Sequence, residues 1–128
     1  MSELVLAGNA PDRIPGIGSD IKAENVFELA YTEVPVNCLC EASTLMGATG
    51  NILHKVVCPT LVIQSRDDHV VPPSNGPLIA QTVGSRDVRL LWLADSYHVA
   101  TLDNDKDFIV ERAGKFISEI ASDLGMIV

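Results

Sequence analysis

Apolar residues fall into two kinds of pattern along this chain, and the change comes near Cys58. Beyond it, Leu61-Val62-Ile63 and the stretch from Val88 to Leu93 are short, nearly continuous apolar runs. Such runs, bounded by turn residues, predict parallel strands covered on both faces. Between them Pro72-Pro73-Ser74 opens a helix through about Val83, with Ser74 or Asn75 as cap and Gly84 as stop. Strand, helix and strand together predict one right-handed βαβ crossover. Farther on, Ile109, Ala113, Phe116, Ile117 and Ile120 recur at i, i+4, i+7, i+8 and i+11, the apolar stripe of a final helix. Asp103 to Asp107 supply its caps and first-turn acids.

The N-terminal part is less regular. Gly16-Ile17-Gly18-Ser19 reads as a loop and Ala23 to Tyr31 as a short helix broken before Pro35. Val36 to about Leu53 reads as a further helix, with Leu39, Ala42, Leu45, Met46 and Thr49 on one side and Gly47 and Gly50 counting against it. Leu4 to Ala7 fits a strand or a helical turn, and four apolar residues do not decide between them.

Composition narrows the class. With 47% hydrophobic and 20% charged residues the 128-residue chain is globular and long enough to bury a core. A net charge of −8 argues against a nucleic-acid or anionic-membrane surface, which would need clustered Lys and Arg. Cys38, Cys40 and Cys58 have no metal-ligand spacing, and their odd number excludes a complete disulfide framework. They read as buried free thiols in a reducing compartment. No stretch approaches the ~20 apolar residues of an integral membrane segment. Met1 to Ala10 lack the basic start of a signal peptide, so the cytoplasm is the expected location.

The candidate chemistry lies just after the two strands. Asp67 and Asp68 follow the first and His98 follows the second. An acid on one strand-end loop and a histidine on the next is the back half of a triad whose chain order is Ser, then Asp or Glu, then His. No Gly-x-Ser-x-Gly nucleophile elbow occurs in these 128 residues. Either acid can fill the role on placement alone, the other being a turn or capping residue. His98 fits a general base. His69 reads as a loop residue packing nearby, and His54, near a helix end, as solvent-exposed. Cys40 lacks the flanking glycines and strained turn of a nucleophile and reads as helix core. Trp92 reads as strand core, and Gly16-x-Gly18 is too short for a phosphate loop.

Five strings then carry a resemblance: Gly18-Ser19-Asp20-Ile21-Lys22, Glu28-Leu29-Ala30-Tyr31, Cys58-Pro59-Thr60-Leu61, Asp68-His69-Val70-Val71-Pro72-Pro73, and Ser96 through Asp103. In that order the chain resembles the bacterial carboxylesterase and monoacylglycerol lipase branch of the α/β-hydrolases. The resemblance implies an α/β fold: the C-terminal half of the hydrolase, with two or three parallel strands, flanking helices and a small helical cap segment. Residues 1–57 would be cap region and linker, and 58–128 the βαβα part of the core. A complete member is about twice this length. The early strands, oxyanion loop and nucleophile would lie in a missing half, through truncation of the gene product or in a genuinely short protein.

The same resemblance selects Asp68 as the triad acid and His98 as the base. It places Glu28 at the glycerol end of a monoacylglycerol and Ile17 on the same pocket. It implies a small ester or monoacylglycerol substrate and no metal or organic cofactor. A rival expectation is a non-catalytic module that self-associates through a bare strand edge. Neither Leu61 to Ile63 nor Leu90 to Leu93 carries the charge or proline that shields such an edge.

Overall fold

The computed structural model describes residues 11–125. The chain divides into two compact units. One is built from residues 11–18 with Leu29–Ile52, the other from Ser19–Glu28 with residues 53–125.

In the smaller unit, β1 (Arg13–Pro15) pairs antiparallel with β2 (Glu33–Pro35), Ile14 opposite Val34. Neither strand is legible in the sequence, because three residues ending in proline show no alternation. The Gly16 amide extends the pair by donating to the Thr32 carbonyl at 2.9 Å. Helix α1 (Val36–Gly50) follows directly on β2, as its apolar spacing predicts. Its stripe is only partly covered. Val36 is buried and Leu39 and Ala42 half-buried, whereas Leu45 and Met46 are 68% and 70% exposed. Cys38 and Cys40 ride on this open helix, and Cys58 lies in the coil before the next strand, so all three thiols are exposed and not buried as their residue type suggests.

The larger unit carries the predicted strand, helix and strand. Strand β3 (Thr60–Ser65) and β4 (Val88–Leu93) pair parallel and in step, from Thr60 opposite Val88 to Ser65 opposite Leu93. Helix α2 (Asn75–Thr82) crosses between them. Its buried Gly76 lets it approach β3: a Cβ there would stand 2.9 Å from the Gln64 Cβ. Gly84 ends the crossover against the short helical turn Leu53–Lys55, where a Cβ would meet the His54 carbonyl at 2.1 Å. His54 itself is exposed, as expected.

The strands are half-buried over most of their length instead of covered on both faces, Trp92 included. An eight-residue helix is about 12 Å long and cannot span six-residue strands of about 20 Å. Full burial is reached at the C-terminal strand ends, at Gln64, Ser65 and Leu93, and in the loop residues Ser96 and Asp103 beyond them. The best-covered part of the unit is therefore the end from which both candidate loops leave.

Helix α3 (Lys106–Asp123) closes the chain. Ile109, Ala113, Phe116 and Ile120 are half-buried, while Ile117 on the edge of the stripe is 64% exposed. Asp105 occupies the cap position but makes no side-chain cap bond. Its carboxylate turns back to the loop after β4, accepting from the Asp95 amide and the Ser96 hydroxyl, each at 2.9 Å.

The helix predicted over Ala23 to Tyr31 does not form. Asp103 accepts the amides of Lys22 and Ala23, both at 2.8 Å, and fixes an irregular path there. Asn25 adopts a left-handed backbone, φ 60°. Two backbone amides bound to a buried carboxylate outweigh a modest helical propensity.

Candidate active site

Because β3 and β4 run in register, the loops after Ser65 and Leu93 leave from the same end of the sheet. Ligand sites in parallel sheets lie at the carboxyl ends of the strands. The Arg66 amide donates to the Leu93 carbonyl at 3.0 Å and carries the pairing one residue past the strands. Two residues later the chain places Asp68.

Asp68 is held by its own turn. Its Oδ1 accepts the amides of Val70 and Val71, both at 2.9 Å. This local capture is what an Asp two and three residues before free amides does in a turn. Oδ2 is left for side chains: Gln64 Nε2 donates to it at 3.2 Å, and Nδ1 of His98 lies 3.1 Å away. The carboxylate is 5% exposed and the imidazole 39%. Burial pushes the Asp68 carboxyl up, but hydrogen bonds from Val71, His98 and Val70 outweigh it and hold the group below its ordinary value. An ionised Asp68 requires the proton of neutral His98 on Nδ1, which leaves Nε2 as the basic nitrogen.

Asp67, the other acid open on sequence alone, is exposed and takes no part in this pairing. His69 is more than a loop neighbour. Its Nδ1 lies 2.8 Å from Oδ1 of Asp20, and its ring meets Tyr97 edge-on with centroids 4.4 Å apart. Glu28 is half-buried in the irregular segment, its amide 3.4 Å from the Ser19 hydroxyl. Among the described residues no hydrogen bond joins its side chain to Asp68 or His98. Ile17 is 70% exposed and belongs to the smaller unit. An open cleft of about 300 Å³ lies beside the Asp68–His98 pair, with Ile63, Val71, Leu93 and Ile109 on its walls.

Two buried carboxylates do more than the sequence suggests: Asp20 has no role legible there, and Asp103 reads only as a helix-capping acid. Asp20 receives the backbone amides of His69 at 3.2 Å and His98 at 3.0 Å on Oδ2. Asp103, 1% exposed, receives four amides, those of Lys22, Ala23, Tyr97 and Asn104, each at 2.8 Å. Burial pushes both carboxyls up, and the hydrogen bonds they accept bring both below the ordinary value. The sequence signal was slight: each stands in one of the quoted strings, but its partners are up to 78 and 81 residues away.

No family model matches the chain. Individual proteins do. The chain is 42% identical over 114 residues to a thermostable monoacylglycerol lipase from Bacillus sp. strain H-257, covering 89% of this chain and 46% of that protein. It is 28% identical over 90 residues to a carboxylesterase from Bacillus subtilis strain 168, covering 70% of this chain and 37% of that one. A solved structure from work on LipS and LipT, two metagenome-derived lipolytic enzymes, superposes with a TM-score of 0.86 at 52% identity, covering 92% of this chain and 48% of that one. The chain belongs to the lipase and esterase branch of the α/β-hydrolases. The parallel pair β3–β4 with its helices is thus part of a hydrolase fold, and the chain spans less than half the length of the hydrolases it matches.

Proposed function

We infer that these residues supply the acid and base of a serine hydrolase acting on carboxylic esters, with monoacylglycerols or short to medium acyl esters as substrates. The observation that carries this reading is the 3.1 Å contact between Asp68 and His98, made from the ends of two adjacent parallel strands. Asp68 orients the imidazole and stabilises the imidazolium. His98 takes the proton of the serine hydroxyl through Nε2 as the serine attacks the ester carbonyl. It then returns that proton to the leaving alcohol, and repeats the cycle with water to free the acid. The 128 residues hold no Gly-x-Ser-x-Gly, so the nucleophile and the oxyanion donors come from further hydrolase sequence. Exposed apolar side chains such as Leu78, Val110 and Ile117 suit a core completed by such residues.

Joining this chain to the N-terminal half of the related Bacillus monoacylglycerol lipase tests the reading. The joined protein hydrolyses p-nitrophenyl esters and monoacylglycerol, while the 128 residues alone do no better than a free-histidine control. A folded but inactive chimera refutes the proposal. A second reading keeps the chain non-catalytic and self-paired through a free edge of β3–β4, which among the described residues form a two-stranded sheet. A dimer by sedimentation equilibrium, together with an inactive chimera, is its signature.

A further inference from the structure

Asp20 is 9% exposed, and both its oxygens are engaged by the two loops that carry the acid and the base. Oδ2 accepts the backbone amide of His69, the residue directly after Asp68, at 3.2 Å, and the backbone amide of His98 at 3.0 Å. Oδ1 lies 2.8 Å from Nδ1 of His69. The Asp20 carbonyl accepts the Val99 amide at 3.2 Å, so the residue after the base is pinned too. Among the described residues, Asp68 itself apart, no other carboxylate touches both loops: Asp103 and Asp105 bind the loop after β4 and not the one bearing Asp68.

We propose that Asp20 is a positioning residue for the Asp68–His98 pair, one buried carboxylate that sets the separation and orientation of acid and base. This rests on the reading of Asp68 and His98 as the acid and base of an ester hydrolase. The chemistry of the contact is specific to a carboxylate. Both amides that converge on Oδ2 are donors, and His69 donates to Oδ1 when its proton is on Nδ1. An asparagine has one acceptor oxygen for the two amides and turns its NH₂ group toward Nδ1 of His69, a contact it keeps only when that nitrogen carries no proton. The strand ends bring the two loops near each other, but the pair sits in the turns beyond the ladder. There a loosening of about 1 Å already degrades proton transfer by roughly two orders of magnitude.

Labelling the 128-residue chain with ¹⁵N tests the proposal without any turnover. Two readouts are followed in the parent, Asp20→Ala and Asp20→Asn: the tautomer of His98, from its ring nitrogen shifts, and the exchange rates of backbone amides. The parent shows His98 protonated on Nδ1. In Asp20→Ala the tautomer moves to the mixture of histidine in water. The His69 and His98 amides exchange roughly ten to a hundred times faster, the loss expected for a hydrogen bond to a charged group. The Val62 and Leu91 amides keep their rates. Asp20→Asn, which retains one acceptor, falls between. An unchanged tautomer in either variant overturns the proposal, and so does equal acceleration at all four amides, which marks Asp20 as a purely structural carboxylate. Should Asp20→Ala not fold, Asp20→Asn is judged by the same two readouts. If the tautomer depends on Asp20 while the joined enzyme hydrolyses no ester, the functional reading fails and the positioning role stands.

Discussion

Ser65, the last residue of β3, donates its hydroxyl to the backbone carbonyl of Ser96 in the loop after β4. Both residues are buried, at 4% and 1% exposure. The Ser96 hydroxyl in turn engages the carboxylate of Asp105 at 2.9 Å and accepts the Asp105 amide at 3.0 Å. The loop that presents His98 is thereby tied to one strand end and to the start of α3.

Replacing Ser65 by Ala leaves the Ser96 carbonyl without that donor. The expected loss is about 1–3 kcal/mol, the penalty for a buried group left unsatisfied, read as a lower urea midpoint with unchanged slope. Ser85→Ala serves as the control, because its hydroxyl bonds only within its own turn, to Asp87.

Acid should unfold the larger unit early. Asp20, Asp68 and Asp103 all stand below the ordinary value of 3.8 in the folded chain. A depressed carboxyl contributes its full stability above the unfolded value and loses it as pH falls through the folded one. The urea midpoint is therefore flat near neutrality and falls steeply below about pH 4. Asp103→Asn lowers stability at neutral pH, because an amide cannot accept four backbone N–H groups, and it flattens the acid limb. An acid limb as steep in Asp103→Asn as in the parent would mean that this carboxylate does not contribute to the acid transition.

Glu28 has a substrate-selective prediction. A carboxylate that meets glycerol hydroxyls matters for monoacylglycerol and not for an ester lacking glycerol. In the joined enzyme, Glu28→Ala raises KM for monoacylglycerol and spares p-nitrophenyl esters. Equal effects on both substrates would assign Glu28 to support of its segment.

What the sequence disclosed and what it hid differ in physical range. The runs at Leu61–Ile63 and Val88–Leu93 are local and continuous, so the strands and the loops after them were legible, and with them His98 and an acid at Asp67 or Asp68, between which only the family resemblance chose. The αβ pattern of the larger unit followed from the same signals. Ala23 to Tyr31 misled because its apolar spacing is local, while the Asp103 carboxylate that overrides it arrives from the far end of the chain. Asp20 was hidden for the same reason: an acid gathering backbone amides from distant loops has no periodicity. The exposed thiols show a residue-type preference yielding to a helix whose outer face is left uncovered.

The turnover numbers of Asp68→Asn and Asp67→Asn, compared in the joined enzyme, test the central claim most directly. The acid of a triad fixes the histidine tautomer, and its conversion to Asn in a serine protease lowers kcat by about 10⁴. Asp68→Asn is expected to fall by several orders of magnitude at unchanged folding, while Asp67→Asn, an exposed loop acid, stays within a few-fold of the parent. A damaging Asp67→Asn, or a tolerated Asp68→Asn, would contradict the assignment of the 3.1 Å contact as the working acid–base pair.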